Sequence, residues 1–337
     1  EKDRCAVVMR MHHCIGDGLA MMHVLYSLTD RTPDAGSAVQ PLSRPRRELV
    51  RRRDALAMVR RRLRPRIRRT AQGGPALADG PQMLLDLGQE GAGGALDLGR
   101  FLLLEPDPQT VLKGPLGRTK RVAWSDGISL EEIGTIRERL GGTVNDVVVT
   151  VITGALRRYL EAHGEPVDEI ALRAAVPVNL RPLDQTGNLG NRMGAVFLTL
   201  PVWNADPSCR LRQVELYMKG RKASQEPPLF YVLLSVLGIT PARLAKRLVT
   251  IYGTRATAVV TNVKGPQEQL YLAGAAVDGC IAWVPQTGSI GLGISIFSYV
   301  GQLSVGVMAD AGLVPDPETI VAGFHAEFKE LLQQAGE

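Results

Sequence analysis

The stretch "CAVVMRMHHCIGDGLAMMHVLYSLTD", residues 5–30, changes its periodicity half-way along. Val7, Val8 and Met9 favour an extended chain. After "CIGDG", which is turn chemistry, Leu19, Met22, Leu25 and Tyr26 recur at helical spacing. The reading is strand, tight turn, helix. It puts His12 and His13 at the strand end and Asp17 between Gly16 and Gly18 in the turn. Neighbouring side chains on a strand point to opposite faces, so the two histidines cannot both meet one ligand. That disfavours a metal pair, because zinc ligands are spaced differently. Two readings stay open. One imidazole, titrating close to neutrality, serves as a general base, or both histidines are a hydrogen-bonded structural pair ahead of a helix.

Outward from this turn, strand-like and helix-like segments alternate. "RTKRVAWS" (118–125) reads as a strand. "SLEEIGTIRERLGG" (129–142) reads as a helix with Ser129 as N-cap and Glu132 completing a capping box. "TVNDVVVTVITGALRRYLEAHG" (143–164) is the strongest helix, opened by Thr143 and Asp146 and closed by Gly164. "IALRAAVPVNLRP" (170–182), "GAVFLTLPV" (194–202), "ATAVVTNVKGP" (256–266) and "SIGLGISIFSYVGQLSVGVMAD" (289–310) read as strands and hairpins. "DPETIVAGFHAEFKELLQQ" (316–334) is a closing amphipathic helix. Such alternation makes an α/β chain with a mixed sheet in each half. Residues 72–117 are rich in glycine and proline and weakly patterned, which places a linker there between 1–71 and 118–337.

A chain of 337 residues, 45% apolar and 22% charged, is of a size for two ordinary globular domains. Low aromatic content argues against stacking platforms for single-stranded nucleic acid. Four scattered cysteines without a CxxC pair suit a reducing compartment and offer no metal site. No run approaches the roughly 20 apolar residues that span a bilayer. The longest, Leu229 to Ile239, reads as a buried or interfacial helix. Glu1 stands first with a strand already under way, so the chain is expected to be a fragment or a processed product. The net charge of +6 is concentrated: thirteen arginines stand against Glu48 and Asp54 between residues 44 and 69, so the remainder is net acidic. Leu49, Leu56, Val59, Leu63 and Ile67 line one helical face in that segment, and Pro65 bends or ends the helix.

"HHCIGDG" matches HHxxxDG, the motif of the coenzyme-A-dependent acyltransferase superfamily. "LKGPLGRTKRVAWS", "GGTVNDVVVTVITGALRRYL", "VPVNLRP", "GNRMGAVFLTLP", "TNVKGP" and "FSYVGQLSVGVMAD" then follow in order. Together, from about Cys5 to the last helix, the chain resembles the bacterial wax ester synthase/diacylglycerol acyltransferase family. The resemblance implies two similar mixed-sheet domains of the chloramphenicol-acetyltransferase-like type with an active-site tunnel between them. It also implies that the first domain, residues 1–71, is incomplete, since family members carry a substantial stretch before the double histidine.

On the same resemblance His13 is the general base, His12 its structural neighbour, Asp17 the residue that shapes the loop, and Gly18 the glycine of the turn. The family's ND motif falls on Asn145 and Asp146. Asp146 has a capping role available as well, and Asn145 is the better candidate to reach the tunnel. A serine-asparagine-valine-proline-glycine stretch of the family stands here as Thr261, Asn262, Val263, Lys264 and Gly265. Thr261, Asn262 and Gly265 are thus tunnel candidates, and lysine in place of proline is expected to loosen the backbone. Cys14 occupies a variable motif position and is not read as a nucleophile.

The implied reaction is O-acyl transfer from acyl-CoA, a co-substrate with no tightly bound cofactor, to diacylglycerol or a fatty alcohol. The arginine-rich segment, with Arg51, Arg52, Arg60 and Arg61, reads either as a solvated connector or as a basic helix on an anionic membrane or lipid inclusion. Nucleic acid is disfavoured because no base-reading motif accompanies the charge. The expected location is cytoplasmic, with a peripheral position on a lipid surface as the further option. Two rival functions remain: a condensation-type enzyme using carrier-bound acyl groups, and a non-catalytic protein that binds lipid surfaces.

Overall fold

In the computed structural model, residues 5–12, 18–34, 104–180, 193–222, 226–286 and 288–336 are described. Seven strands form one mixed sheet: β1 (Lys120–Trp124), β2 (Ile128–Ser129), β3 (Leu172–Asn179), β4 (Met193–Leu200), β5 (Ala258–Lys264), β8 (Leu292–Tyr299) and β9 (Gln302–Asp310). Their order is β1-β9-β8-β5-β3-β4, with β2 also on β9. β5 runs parallel to β8 and β3, and the outer pairs are antiparallel. A small hairpin, β6 (Tyr271–Leu272) and β7 (Ala275–Ala276), stands apart from the sheet.

One face is covered by helices α2 (Leu130–Leu140), α3 (Val144–Ala162) and α7 (Pro317–Gly336), with α4 (Pro207–Lys222) beside α3. α3 forms because Thr143 and Asp146 cap it reciprocally, and it is then buried almost throughout from Asp146 to Leu160. Gly164 follows in a left-handed conformation that ends the turn. α2 carries the expected Ser129–Glu132 capping box. Arg210 on α4, itself buried, pairs with the buried Glu327 of α7 at 2.5 Å, and Glu327 also binds Arg158 of α3 at 2.5 Å. A Cβ at Gly154 of α3 would collide with Glu327 and Arg210, so that glycine leaves room for the three-helix clamp.

The opposite face carries α1 (Gly18–Leu28), the β6–β7 hairpin, the segment 277–286, and helices α5 (Glu226–Ile239) and α6 (Ala242–Gly253). Met22 and Leu25 of α1 pack on Val263, Phe297 and Tyr299, while Phe230, Leu233 and Tyr252 pack on Phe197 and Val259. Asp30 and Tyr271 exchange two backbone bonds of 2.8 Å, which fastens the end of α1 to the hairpin. Val300 and Gly301, both with positive φ, make the tight β8–β9 turn.

The expected helices and strands from residue 118 onward are present, and the apolar run 229–239 lies within α5. One reading is corrected. Residues 5–12 form no strand and are exposed, Val8 to 82%. A strand needs a ladder partner, and among the described residues none lies beside them.

The end of the expected linker packs on the sheet unit. Asp107 is buried against Thr257 and Arg173, Leu112 is in the main core, and Lys113 donates to the carbonyls of Thr254 (2.6 Å) and Ala256 (3.0 Å). Glycine and proline there reflect a chain bent to fit a surface. The arginine-rich segment, including Arg51, Arg52, Arg60 and Arg61, lies outside the described residues.

Candidate active site

Three segments distant in sequence meet at the C-terminal end of β5. On this strand Ala258 and Val260 belong to the helix-side core, and Val259 and Val263 pack on the other face. Alternation therefore sends Asn262 toward α3 and Thr261 with Val263 toward α1. Asn262 Nδ2 donates to Asn145 Oδ1 at 3.1 Å, at the first turn of α3. On the opposite face Gly18 comes so close that a Cβ there would stand 3.2 Å from Val263 Cγ2. The glycine of the histidine motif, the asparagine of the helix start and the asparagine of the strand end thus surround one strand tip.

Each of these residues has a local reason for its place. Asp146 caps α3: its Oδ2 accepts from Thr143 N and Oγ1, both at 2.8 Å. Its other oxygen, Oδ1, is buried and meets no donor among the described residues. The capping role places Asn145 within the first helical turn, where its side chain reaches Asn262. Gly265 is buried under the Ser298 carbonyl and the Phe297 ring, where a Cβ has no room. Its N–H donates to Ser298 Oγ at 3.3 Å. Lys264 does not loosen the strand as expected: β5 continues through it in register with Ser298. Any residue with an N–H and an extended backbone satisfies that position.

His12 is exposed, and Gly18 opens α1. His13 and Asp17 lie outside the described residues. Among the described residues no group of three histidine, cysteine or acidic side chains is arranged to hold a metal ion.

The sequence reading missed an early end to one ladder of the sheet. β5 is laddered to β8 through seven residue pairs but to β3 through two, Ala174–Ala258 and Ala175–Val259. Beyond these no ladder pair joins the two strands. The Arg173 carbonyl accepts from Thr257 N at 2.8 Å, and the Arg173 N–H donates to Asp107 beside it at 2.9 Å. Odd-numbered residues of β3 therefore turn their backbone groups toward β5. Pro177 is one of them, and it has no N–H to give. The ladder stops just before it. Val176, Pro177 and Val178 are half-buried, and Val176 packs on the main core. A proline in the middle of an otherwise apolar strand was the available signal.

At the other end of the same strand pair the gap is filled. Asp107 accepts from Thr257 Oγ1 (2.6 Å), Arg173 Nε (2.8 Å) and Arg173 N (2.9 Å). Burial pushes its carboxyl up, while the Thr257 hydroxyl, Arg173 and Lys113 work against that shift. Burial also lowers the Lys113 ammonium, and Asp107 opposes the fall.

This mixed sheet with helices on both faces is the fold of the condensation-type acyltransferases. The structure of a wax ester synthase/diacylglycerol acyltransferase from Marinobacter aquaeolei VT8 superimposes with a TM-score of 0.60, over 97% of this chain and 67% of that one, at 20% identity. The epimerization domain from the third module of tyrocidine synthetase B gives 0.56 over 96% and 68%, at 10% identity. At such identities the likeness is one of fold.

The sequence narrows the class. Residues 1–148 match the wax ester synthase/diacylglycerol acyltransferase catalytic domain, and residues 189–332 match the WS/DGAT C-terminal domain. The chain belongs to the wax ester synthase/diacylglycerol acyltransferase family. Two proteins assigned as diacylglycerol O-acyltransferases, from Mycobacterium tuberculosis strains CDC 1551 / Oshkosh and ATCC 25618 / H37Rv, are each 32% identical to it over 98% of its length. The chain spans 65% of the length of either relative.

Proposed function

We propose that the protein carrying this chain is an O-acyltransferase that moves a long-chain acyl group from acyl-CoA to a lipid hydroxyl. Diacylglycerol or a fatty alcohol is the acceptor, giving triacylglycerol or wax ester. His13 takes the proton from the acceptor hydroxyl as its oxygen attacks the thioester carbonyl. The carbon–sulfur bond then breaks, and the proton passes to the departing CoA thiolate. No covalent acyl-enzyme and no tightly bound cofactor take part. His12 braces the motif, and Asp17 holds the turn.

The observation that carries this reading is the meeting of Gly18, Asn145 and Asn262 at one strand tip, beside the open half of the β3–β5 pair. An apolar edge next to amide side chains suits a substrate with a long hydrocarbon tail and a reacting ester. Asn145 and Asn262 hold each other in place at the site, and Thr261 faces the histidine-motif side. No helix among the described residues is long and apolar enough to cross a membrane. In this proposal the lipid is met at a membrane or inclusion surface.

The test is release of CoA thiol from palmitoyl-CoA, with hexadecanol and with diacylglycerol offered separately. The whole protein and its His13→Ala variant are compared. Acceptor-dependent release that falls by about 10²–10⁴-fold in the variant supports the proposal. Equal release in the two proteins, or release that needs no acceptor, overturns it. Transfer from a carrier-bound acyl group but not from acyl-CoA would favour the condensation-type reading.

A further inference from the structure

Helix α6 lies at the far end of β5 from the strand tip described above, and its two sides differ in chemistry. Its inner side is fastened to the sheet unit. Tyr252 packs with Val259 and Phe197, and Ser289 Oγ donates to the Thr250 carbonyl at 3.2 Å. Val249 lies so close to the 288–289 turn that a Cβ on Gly288 would come within 2.7 Å of its carbonyl oxygen. The outer side shows Leu244 and Ile251, exposed to 50% and 51%. Seven residues apart, they share one line along the helix.

Arg243, Lys246 and Arg247 complete the exposed surface, and residues 242–253 contain no acidic side chain. Among the described residues none of these three cations makes an ion pair. α5, which leads into α6 through Thr240 and Pro241, has no charged residue after Glu226 and exposes Leu234 to 38%.

We infer that α6 is a lipid-docking helix, which lies in the headgroup layer of an anionic membrane or lipid-inclusion surface. Two large aliphatic side chains half in water, flanked by cations and free of anions, match what such a layer offers: acyl boundary below and phosphate above. The long stems of Arg243 and Arg247 let their heads stay among phosphates while Leu244 and Ile251 enter the acyl boundary. Charge complementarity selects an anionic lipid surface: Arg243, Lys246 and Arg247 are placed to meet lipid phosphates, and residues 242–253 bring no carboxylate against them. This surface is distinct from the arginine-rich segment, and its test does not depend on catalysis.

The experiment is flotation of the full 337-residue chain with phosphatidylcholine vesicles, with and without phosphatidylglycerol. The wild type, L244S/I251S, R243Q/R247Q, and a variant with Arg51, Arg52, Arg60 and Arg61 changed to Gln are compared. Binding is expected with phosphatidylglycerol, weakening as salt is raised. R243Q/R247Q should lower the partition coefficient by roughly fivefold per charge removed, and L244S/I251S by about tenfold or more. Circular dichroism melts of these surface variants should match the wild type.

Failure of the wild type to float with anionic vesicles overturns the inference. So does flotation that both α6 variants leave unchanged and only the arginine-segment variant removes. A change in oligomeric state in L244S/I251S, with vesicle binding intact, would assign the face to a protein contact instead.

Discussion

β3 and β5 form one pair of strands with two unlike halves. In the first half they are laddered, and the edge beside them is sealed by Asp107, Thr257, Arg173 and Lys113. In the second half no ladder pair joins them, and Gly18, Asn145 and Asn262 meet at the tip of β5. A laddered strand pair has its backbone groups satisfied and no room for a ligand. A parted pair leaves edges and side chains that a substrate is able to meet. β5 keeps its full ladder to β8 throughout, and that ladder holds its tip in place.

Breaking the sealed half should have the largest effect on stability. Asp107→Ala leaves Arg173 and the half-buried Lys113 without their carboxylate, and a cost of about 3–5 kcal/mol is expected in urea unfolding. A cost near zero would show that the seal is dispensable. At the other end, Gly265→Ala forces a methyl group against the Ser298 carbonyl and the Phe297 ring. We expect about 1–3 kcal/mol of destabilisation together with loss of acyl transfer, measured on the same preparation. Stability loss without loss of activity would separate Gly265 from the site.

The Asn145–Asn262 bond joins the tip of β5 to the first turn of α3 and is exposed, so its disruption should act more on turnover than on folding. A double-mutant cycle with alanine is expected to give a coupling of about 0.5–1.5 kcal/mol in stability. Turnover in each single variant should fall to nearly the level of the double variant. Additive turnover losses would mean that the two amides act separately.

Pro177→Ala gives β3 an N–H where the ladder now stops. Stability should change by about 1 kcal/mol or less, while kcat/KM for the longest acyl chains falls by about tenfold or less. An unchanged chain-length profile would remove the parted strands from the substrate path.

Local chemistry made much of this legible. Ser129 with Glu132 and Thr143 with Asp146 announced the starts of α2 and α3, because a cap is a relation between residues three apart. The strands of the sheet could be read from alternating or continuous apolar runs, and Gly18 stood at the helix start where turn chemistry had placed it. Residues 5–12 depart from the expected strand because the propensity of Val7, Val8 and Met9, without a partner strand, makes no ladder. The contacts of Asp107 and Lys113 are not legible locally, because the residues they bind, Thr257 and Ala256, lie about 140 positions or more away in sequence.

By itself, then, the sequence determined the capped helices, the apolar strands and, through its ordered motifs, the family. These are short-range relations or patterns carried intact along the chain. The tertiary structure decided the order of strands in the sheet and the point at which β3 leaves β5. It also brought Asn145 to Asn262 and Gly18 to Val263. Those contacts depend on how separate segments register against one another, and no local preference encodes register between segments more than a hundred residues apart.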